Sequence, residues 1–310
     1  MAVPMARSEK KYADIQIARR TFNVVGAHCG GEVCDVIVGG VLNVPGKTIF
    51  GKMMHFWKKA DRLRNSLMNE PRGSSSMCVN LVLPPCNLEA DAGFIIMEHE
   101  EYPPMSGANT MLRVQGRQSN ICGVSKRSGF VYGLDLDINV PGFDTPVKAD
   151  IAWGGMWYAL VDASSAGLQI KTENGKELVD IGERLKRAIQ TQTSPPLSPY
   201  APDAQQTAVN TVAVFPGRLD RSPCGTGTCA RLAVLHKRGQ LAVGGSFRHR
   251  SVIGTEFVRT VKSEAKVGDY DAIIPVVKGT AWIKAFKQVI LHPTDPFPEG
   301  FRAGDKWHVS

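Results

Sequence analysis

The segment Cys224-Gly225-Thr226-Gly227-Thr228 sets a thiol ahead of two glycines and two hydroxyls, and the apolar run Leu232-Ala233-Val234-Leu235 follows it. That run is too continuously apolar for a surface stripe and reads as a helix buried nearly all round. Gly239 stands where such a helix would end, with Lys237 and Arg238 in the last turn to complement the dipole. At the start of the helix the backbone N–H groups lack intrahelical acceptors, which makes an anion site with a cysteine inside it. The positive helix end favours a thiolate, so the pKa of Cys224 is expected to fall, making it a candidate base or nucleophile. Asp220, four residues earlier, offers a carboxylate to a substrate cation. Backbone donors for a carboxylate, beside a carboxylate for an ammonium, describe an amino-acid site. The plainer alternative is a buried small residue at a turn shaped by glycines.

A second turn is built alike. Met105-Ser106-Gly107-Ala108-Asn109-Thr110 puts a hydroxyl where the later turn has its thiol, with glycine next in both. Two such turns, one per half of the chain, point to a cleft between related domains with a proton-transfer residue facing in from each side. Alone, Ser106 would be read as a helix cap. Other chemistries lack their residues. No GxxxxGK[ST] loop occurs, the seven histidines show no HExxH or paired spacing, and the seven cysteines form no CxxC pair. His236 reads as a hydrogen-bonded core residue, and Glu70 and Arg72 as a structural pair.

The elements around these turns follow from the pattern of apolar residues. Strand, turn and strand are expected from Val24 to Val44. A helix capped by Thr48 should then carry Ile49, Met53, Phe56, Ala60, Leu63 and Leu67 on one face until Pro71 ends it. Strands are expected at Cys78–Leu83 and Gly93–Met97, and a long strand at Ile151–Ala163 kinked by Gly154-Gly155. Asn174 and Glu177 fit a capping box for a helix from about Gly175 to Gln190. The four prolines of 193–207 make an extended loop, and Val209–Phe215 a strand leading to the cysteine turn.

A chain of 310 residues suggests about two domains at ~150 residues each. The 37 basic and 29 acidic residues leave a net charge of +8, spread along the chain, so no basic block argues for nucleic acid. No apolar run approaches the ~20 residues of a membrane helix. The odd cysteine count favours a reducing compartment. Residues 1–20 have no apolar core and are not a secretory signal; they read as a polar extension, with a mitochondrial presequence as the alternative.

Five segments carry a family resemblance: NEPRG at 69–73, GFIIMEHEEYPPMSGAN at 93–109, ADIAWGG at 149–155, DRSPCGTGT at 220–228 and DPFP at 295–298. From about Val24 to Trp307 the chain resembles the proline racemase family, and looks closest to its trans-3-hydroxy-L-proline dehydratase branch. The resemblance implies an α+β (mixed α/β) fold of the diaminopimelate-epimerase type, with two pseudo-symmetric domains, each a curled β-sheet around a central helix. On this reading 1–22 is a polar extension and 147–289 the C-terminal domain. The N-terminal domain is 23–146, shortened after Asn109 and completed by 290–310. The resemblance also implies no cofactor and no metal, Ser106 and Cys224 as facing acid/base residues, and Gly107, Ala108, Asp220, Gly225 and Thr226 around a zwitterion.

The reaction expected is loss of the Cα proton and the 3-hydroxyl of trans-3-hydroxy-L-proline, giving Δ1-pyrroline-2-carboxylate. A hydroxyl is a poorer partner than a second thiol for returning a proton to the opposite face, so the Ser/Cys pair favours elimination over epimerisation. Two alternatives stay open: a proline racemase or 4-hydroxyproline 2-epimerase, and a member that binds a proline derivative without turnover. The second arises because TMLRVQGRQSN replaces an apolar central helix after Asn109, and Ala108 stands where the racemases have histidine. In addition, 193–208 is short, and Gly26-Ala27-His28-Cys29 replaces an Asp-x-His-Thr opening. The expected partner is a small-molecule proline derivative in the cytoplasm, with neither nucleic acid nor membrane, and a homodimer is left open.

Overall fold

The computed structural model describes residues 21–41, 43–103, 105–112, 121–124, 128–195, 209–210, 213–214 and 218–303. In chain order, β1 (Thr21–Cys29) turns at Gly30-Gly31 into β2 (Glu32–Gly39). Next come α1 (Ile49–His55), a π turn at Phe56–Ala60, α2 (Arg62–Met68), β3 (Met77–Leu83) and β4 (Gly93–Met97). A short helix α3 (Gly107–Leu112) precedes β5 (Ile121–Val124), β6 (Gly129–Ile138), β7 (Val147–Trp153), β8 (Trp157–Leu160) and the long helix α4 (Gly175–Gln192). The two-residue strands β9 (Val209–Asn210), β10 (Ala213–Val214) and β11 (Arg218–Leu219) lead to α5 (Gly225–Lys237). The chain continues with β12 (Ser246–Arg250), β13 (Glu256–Val267), β14 (Tyr270–Gly279) and β15 (Ala281–Ile290). This is a mixed α+β chain. No helix among the described residues is long and apolar enough to cross a membrane.

The backbone divides into two compact units. One holds the described residues of 21–27, 33–103 and 283–303. Its five-stranded sheet runs β15-β1-β2-β3-β4, with β2 and β3 parallel and β3 and β4 antiparallel. Phe22, Val24, Ile37, Val79, Leu81, Ile95 and Met97 bury one face of the sheet against Met53, Phe56, Leu63 and Leu67 of the helical segment. Each such side chain contributes about 1.5–3 kcal/mol on leaving water. Thr48 caps α1 as its sequence position predicts, accepting from the Gly51 N–H at 3.0 Å. The single helix expected from 49 to 67 is instead interrupted. The interruption is the π turn at Phe56–Ala60, followed by Asp61, whose carboxylate accepts from the Arg64 guanidinium at 2.6 Å and the Tyr102 hydroxyl at 2.8 Å.

In this unit the NEPRG and DPFP segments meet. Arg72 Nη1 pairs with Asp295 at 2.6 Å, Nη2 reaches the Phe297 carbonyl and Nε the Ser66 carbonyl. Glu70 bridges to Phe301 through the backbone, so the expected Glu70–Arg72 pair gives way to a clamp on the 295–301 turn.

The other unit holds the described residues of 28–32 and 105–282. Its sheet runs β12-β13-β14-β6-β7-β8-β9, with β5 also on β14. Register shifts between Val131 and Gly133, between Gly133 and Leu136, and between Val261 and Ser263 bend β6 and β13. Such bulges curl a sheet, and this one wraps α5, which touches β6, β7, β8, β13 and β14. The wrapping explains why α5 is apolar on several faces: Ala230, Leu232, Ala233 and Val234 are all buried. Gly154, between β7 and β8, faces the Ala230 N–H, the Thr226 carbonyl and Cys229 so closely that no side chain would fit. That packing splits the long strand expected at Ile151–Ala163. On the sheet's other side α4 buries Leu185, Ala188 and Ile189 against Phe130, Ile151, Trp153 and Trp157. The capping box expected there does not form: Asn174, at φ −89° and ψ 12°, lacks the extended backbone of a cap and makes no cap bond, and its Nδ2 donates to the Gln169 carbonyl.

Candidate active site

Cys224 is the N-cap of α5, with φ 50° and ψ 106°. Among the described residues only Asp135 shares a positive φ without being glycine. A non-glycine residue in this region costs about 1–3 kcal/mol and must be held there by its surroundings. The holding is local. Thr228 Oγ1 lies 2.8 Å from the Pro223 carbonyl and 2.7 Å from that of Cys224, and the Thr228 N–H donates to the Cys224 carbonyl at 2.9 Å. Upstream, Asp220 Oδ1 accepts from the Ser222 N–H at 3.1 Å and from its hydroxyl at 3.2 Å. The whole segment from Asp220 to Thr228 is therefore tied to itself before any ligand arrives.

The Cys224 sulfur accepts from the Gly227 N–H at 3.4 Å and lies 3.3 Å from the Tyr158 hydroxyl, which also bonds Thr226 Oγ1. Both contacts favour the thiolate, as the sequence position implies. They are outweighed. Burial, and then the negative charge of Asp220, push the thiol up to about 12, the reverse of the expected lowering. Tyr158 is raised as well, by burial and by Cys224. At neutral pH this favours the thiol over the thiolate.

The second predicted turn lies in the same unit. The Ser106 hydroxyl accepts from Asn109 Nδ2 at 2.8 Å, and Thr110 Oγ1 donates to the Ser106 carbonyl at 2.7 Å. Helix α3 spans six residues, and 113–120 lies outside the described residues. Gly107 and Gly225, the first residues of α3 and α5, touch backbone to backbone. A Cβ on Gly107 would stand 2.5 Å from the Gly225 Cα, and one on Gly225 would stand 2.6 Å from the Gly107 nitrogen. Ser106 and Cys224, each one residue upstream, thus lead into the same point. Ala108 and Thr226 are buried beside it, and Asp220 is half-buried.

Two participants carry no signal in the sequence. Tyr158 reaches Cys224 across 66 residues, from a strand whose composition reads only as core. Arg259, on β13, is 1% exposed, and its Nη2 lies against both Gly107 and Gly225. A third side chain, His249, bonds Thr228 Oγ1 at 2.7 Å, and its pKa is lowered to about 4 by burial and by Arg231 and Arg259. Cys224, Tyr158, Gly227, Arg231 and His249 line a cavity of about 750 Å3. Among the described residues no group of three or more His, Cys, Asp or Glu side chains could hold a metal ion.

The sequence profile described as proline racemase matches residues 24–116 and 111–302. Among solved structures the chain is similar to a hydroxyproline epimerase from Agrobacterium vitis with bound trans-4-hydroxy-L-proline. They share 31% identity with a TM-score of 0.78, over 93% of this chain and 97% of that one. It is also similar to a probable proline racemase from Agrobacterium radiobacter K84 with bound carbonate. Here the identity is 33% and the TM-score 0.77, over 92% of this chain and 98% of that one. These likenesses establish the expected fold of curled sheets, the diaminopimelate-epimerase type.

Proposed function

The chain belongs to the proline racemase family, and on that premise we propose that it removes the Cα proton of a proline derivative with Cys224 as base. The observation that carries the proposal is the backbone contact between Gly107 and Gly225, which sets Ser106 and Cys224 at the heads of two touching helices. The substrate carboxylate is held at the N-terminus of α5, by the N–H groups around Gly225 and Thr226, with Gly107 and Ala108 beside it. Asp220 takes the ring ammonium. That ion pair cancels the negative charge which, after burial, holds the thiol most strongly protonated. Substrate binding therefore generates its own base. Tyr158 and the Gly227 N–H then stabilise the thiolate.

The substrate proposed is trans-3-hydroxy-L-proline. The sulfur takes the Cα proton, and the electron pair of that bond forms the C2=C3 double bond as the C3–O bond breaks. The leaving hydroxide takes a proton and departs as water. The enamine then tautomerises to Δ1-pyrroline-2-carboxylate. Positive charge fixed at the carboxylate lowers the energy of the carbanion-like state. The 3-hydroxyl is trans to the carboxylate and so leaves from the face of the Cα hydrogen, where the Cys224 thiol gives it the proton just taken; Ser106, on the other side of the ring, is a poor partner for returning a proton to carbon.

A second reading, epimerisation of a 4-hydroxyproline, draws support from the name of the Agrobacterium vitis protein. One assay separates the two. In D2O, trans-3-hydroxy-L-proline should give the cyclic imine, and trans-4-hydroxy-L-proline no D-isomer. Rapid deuterium entry at Cα with D-isomer formation and no imine would refute the dehydratase reading. Turnover that survives Cys224→Ala would refute the base.

A further inference from the structure

Among the described residues no carboxylate pairs with Arg259, a fully buried cation. Its Nη1 reaches the Cys229 sulfur, while Nε and Nη2 have no hydrogen-bond partner among those residues. Burial holds Cys229 in its neutral thiol form despite this neighbour, so it does not balance the charge. An unbalanced buried charge costs several kcal/mol, and this one sits where it is least expected. Nη2 lies against Gly225, the first residue of the thirteen-residue helix α5, whose own N–H groups are electropositive. Guanidinium and helix end repel one another unless something negative lies between them. Nε and Nη2 are the two donors on one edge of the guanidinium, the fork that matches the two oxygens of a carboxylate.

We propose that Arg259 is a substrate-binding residue that grips the carboxylate of the ligand through Nε and Nη2 at the N-terminus of α5. The proposal rests on the proline-derivative reading and sharpens it, because it assigns the carboxylate a charged side-chain partner besides backbone donors. The same cation would oppose the build-up of negative charge when Cα is deprotonated. The glycines at 107 and 225 then have a further purpose, since a methyl group at either would press on the guanidinium.

Calorimetry with pyrrole-2-carboxylate and with acetate, on the wild-type chain and Arg259→Gln, tests this. Loss of the charged fork should weaken pyrrole-2-carboxylate about 30-fold or more, or about 2 kcal/mol at 1.4 kcal/mol per tenfold. Arg259→Lys, which keeps the charge and loses the fork, should fall between. Equal binding by wild type and Arg259→Gln overturns the assignment and leaves the proline reading intact. Tighter binding by Arg259→Ala also overturns it, since the guanidinium would then be filling the site. Wild-type binding of acetate but not pyrrole-2-carboxylate, lost in Arg259→Gln, keeps the carboxylate grip and removes the proline reading. Binding of neither probe overturns both. Should the variants not fold, side-chain 15N spectra of the wild type decide: one guanidinium must shift with pyrrole-2-carboxylate, and none shifting overturns the proposal.

Discussion

Gly225→Ala adds a single methyl group where two helices begin. The new Cβ would run into the Gly107 Cα and stand 2.6 Å from its nitrogen, and 3.4 Å is the near edge of ordinary contact, so the helix heads must separate by about 1 Å. The obstacle is backbone, which cannot rotate aside as a side chain can. Overpacking of this kind costs about 1–3 kcal/mol. Alanine returns about 1 kcal/mol through its better helix propensity, which leaves a net loss of up to about 2 kcal/mol. The effect on chemistry should be larger, because a displacement of about 1 Å between reacting groups can cost 100-fold. The expected signature is a folded protein, slightly less stable in urea, whose rate of deuterium entry at Cα falls about 100-fold. Urea unfolding followed by circular dichroism, beside NMR of substrate incubated in D2O, gives both numbers. A variant that exchanges at the wild-type rate would refute the claim that the Gly107–Gly225 contact sets the distance between Ser106 and Cys224.

Asp220→Asn removes the negative charge that, after burial, most opposes the Cys224 thiolate. The pH midpoint for iodoacetamide labelling of Cys224, read by peptide mass spectrometry, should move down, and an unchanged midpoint counts against the assignment. His249 protonates near 4 when folded against 6.5 in a model peptide, so between those values the unfolded chain binds more protons. Stability should therefore fall as pH drops from 6.5 to 4, and urea midpoints of His249→Gln should lack that part of the slope. Arg72→Ala breaks the 2.6 Å pair with Asp295 and the bonds to the Ser66 and Phe297 carbonyls, at a cost of about 1–3 kcal/mol. Wild-type thermal stability in that variant would show the clamp to be dispensable.

Local chemistry was readable from the chain. The Thr48 cap, the end of α5 before Gly239 and the strands at 77–83 and 93–97 all rest on neighbours within a few residues, and all stand in the structure. Asn174 shows where spacing alone fails: its distance to Glu177 satisfies the capping pattern, yet its backbone is not extended and its side chain makes no cap bond. The Cys224 turn was placed correctly and its pKa was not. A helix N-terminus is visible in sequence, whereas the burial that overrides it depends on a sheet assembled from distant strands. Tyr158 and Arg259 lay beyond reach for the same reason. A tyrosine within an apolar strand reads as core, and an arginine within β13 reads as a solvated edge until burial shows otherwise.

The five-stranded sheet of the first unit has a consequence for synthesis. Strand β15 lies beside β1, and Lys287 grips Asp35 at 2.6 Å across 252 residues of chain. On the ribosome, β1 emerges early and must wait, one edge uncovered, while the second unit is made almost in full. Contacts of such long sequence separation form late, and an unpaired edge is a template for wrong partners in the interval. The second unit can fold as it appears. The unit built from both ends of the chain is the one a chaperone would need to guard.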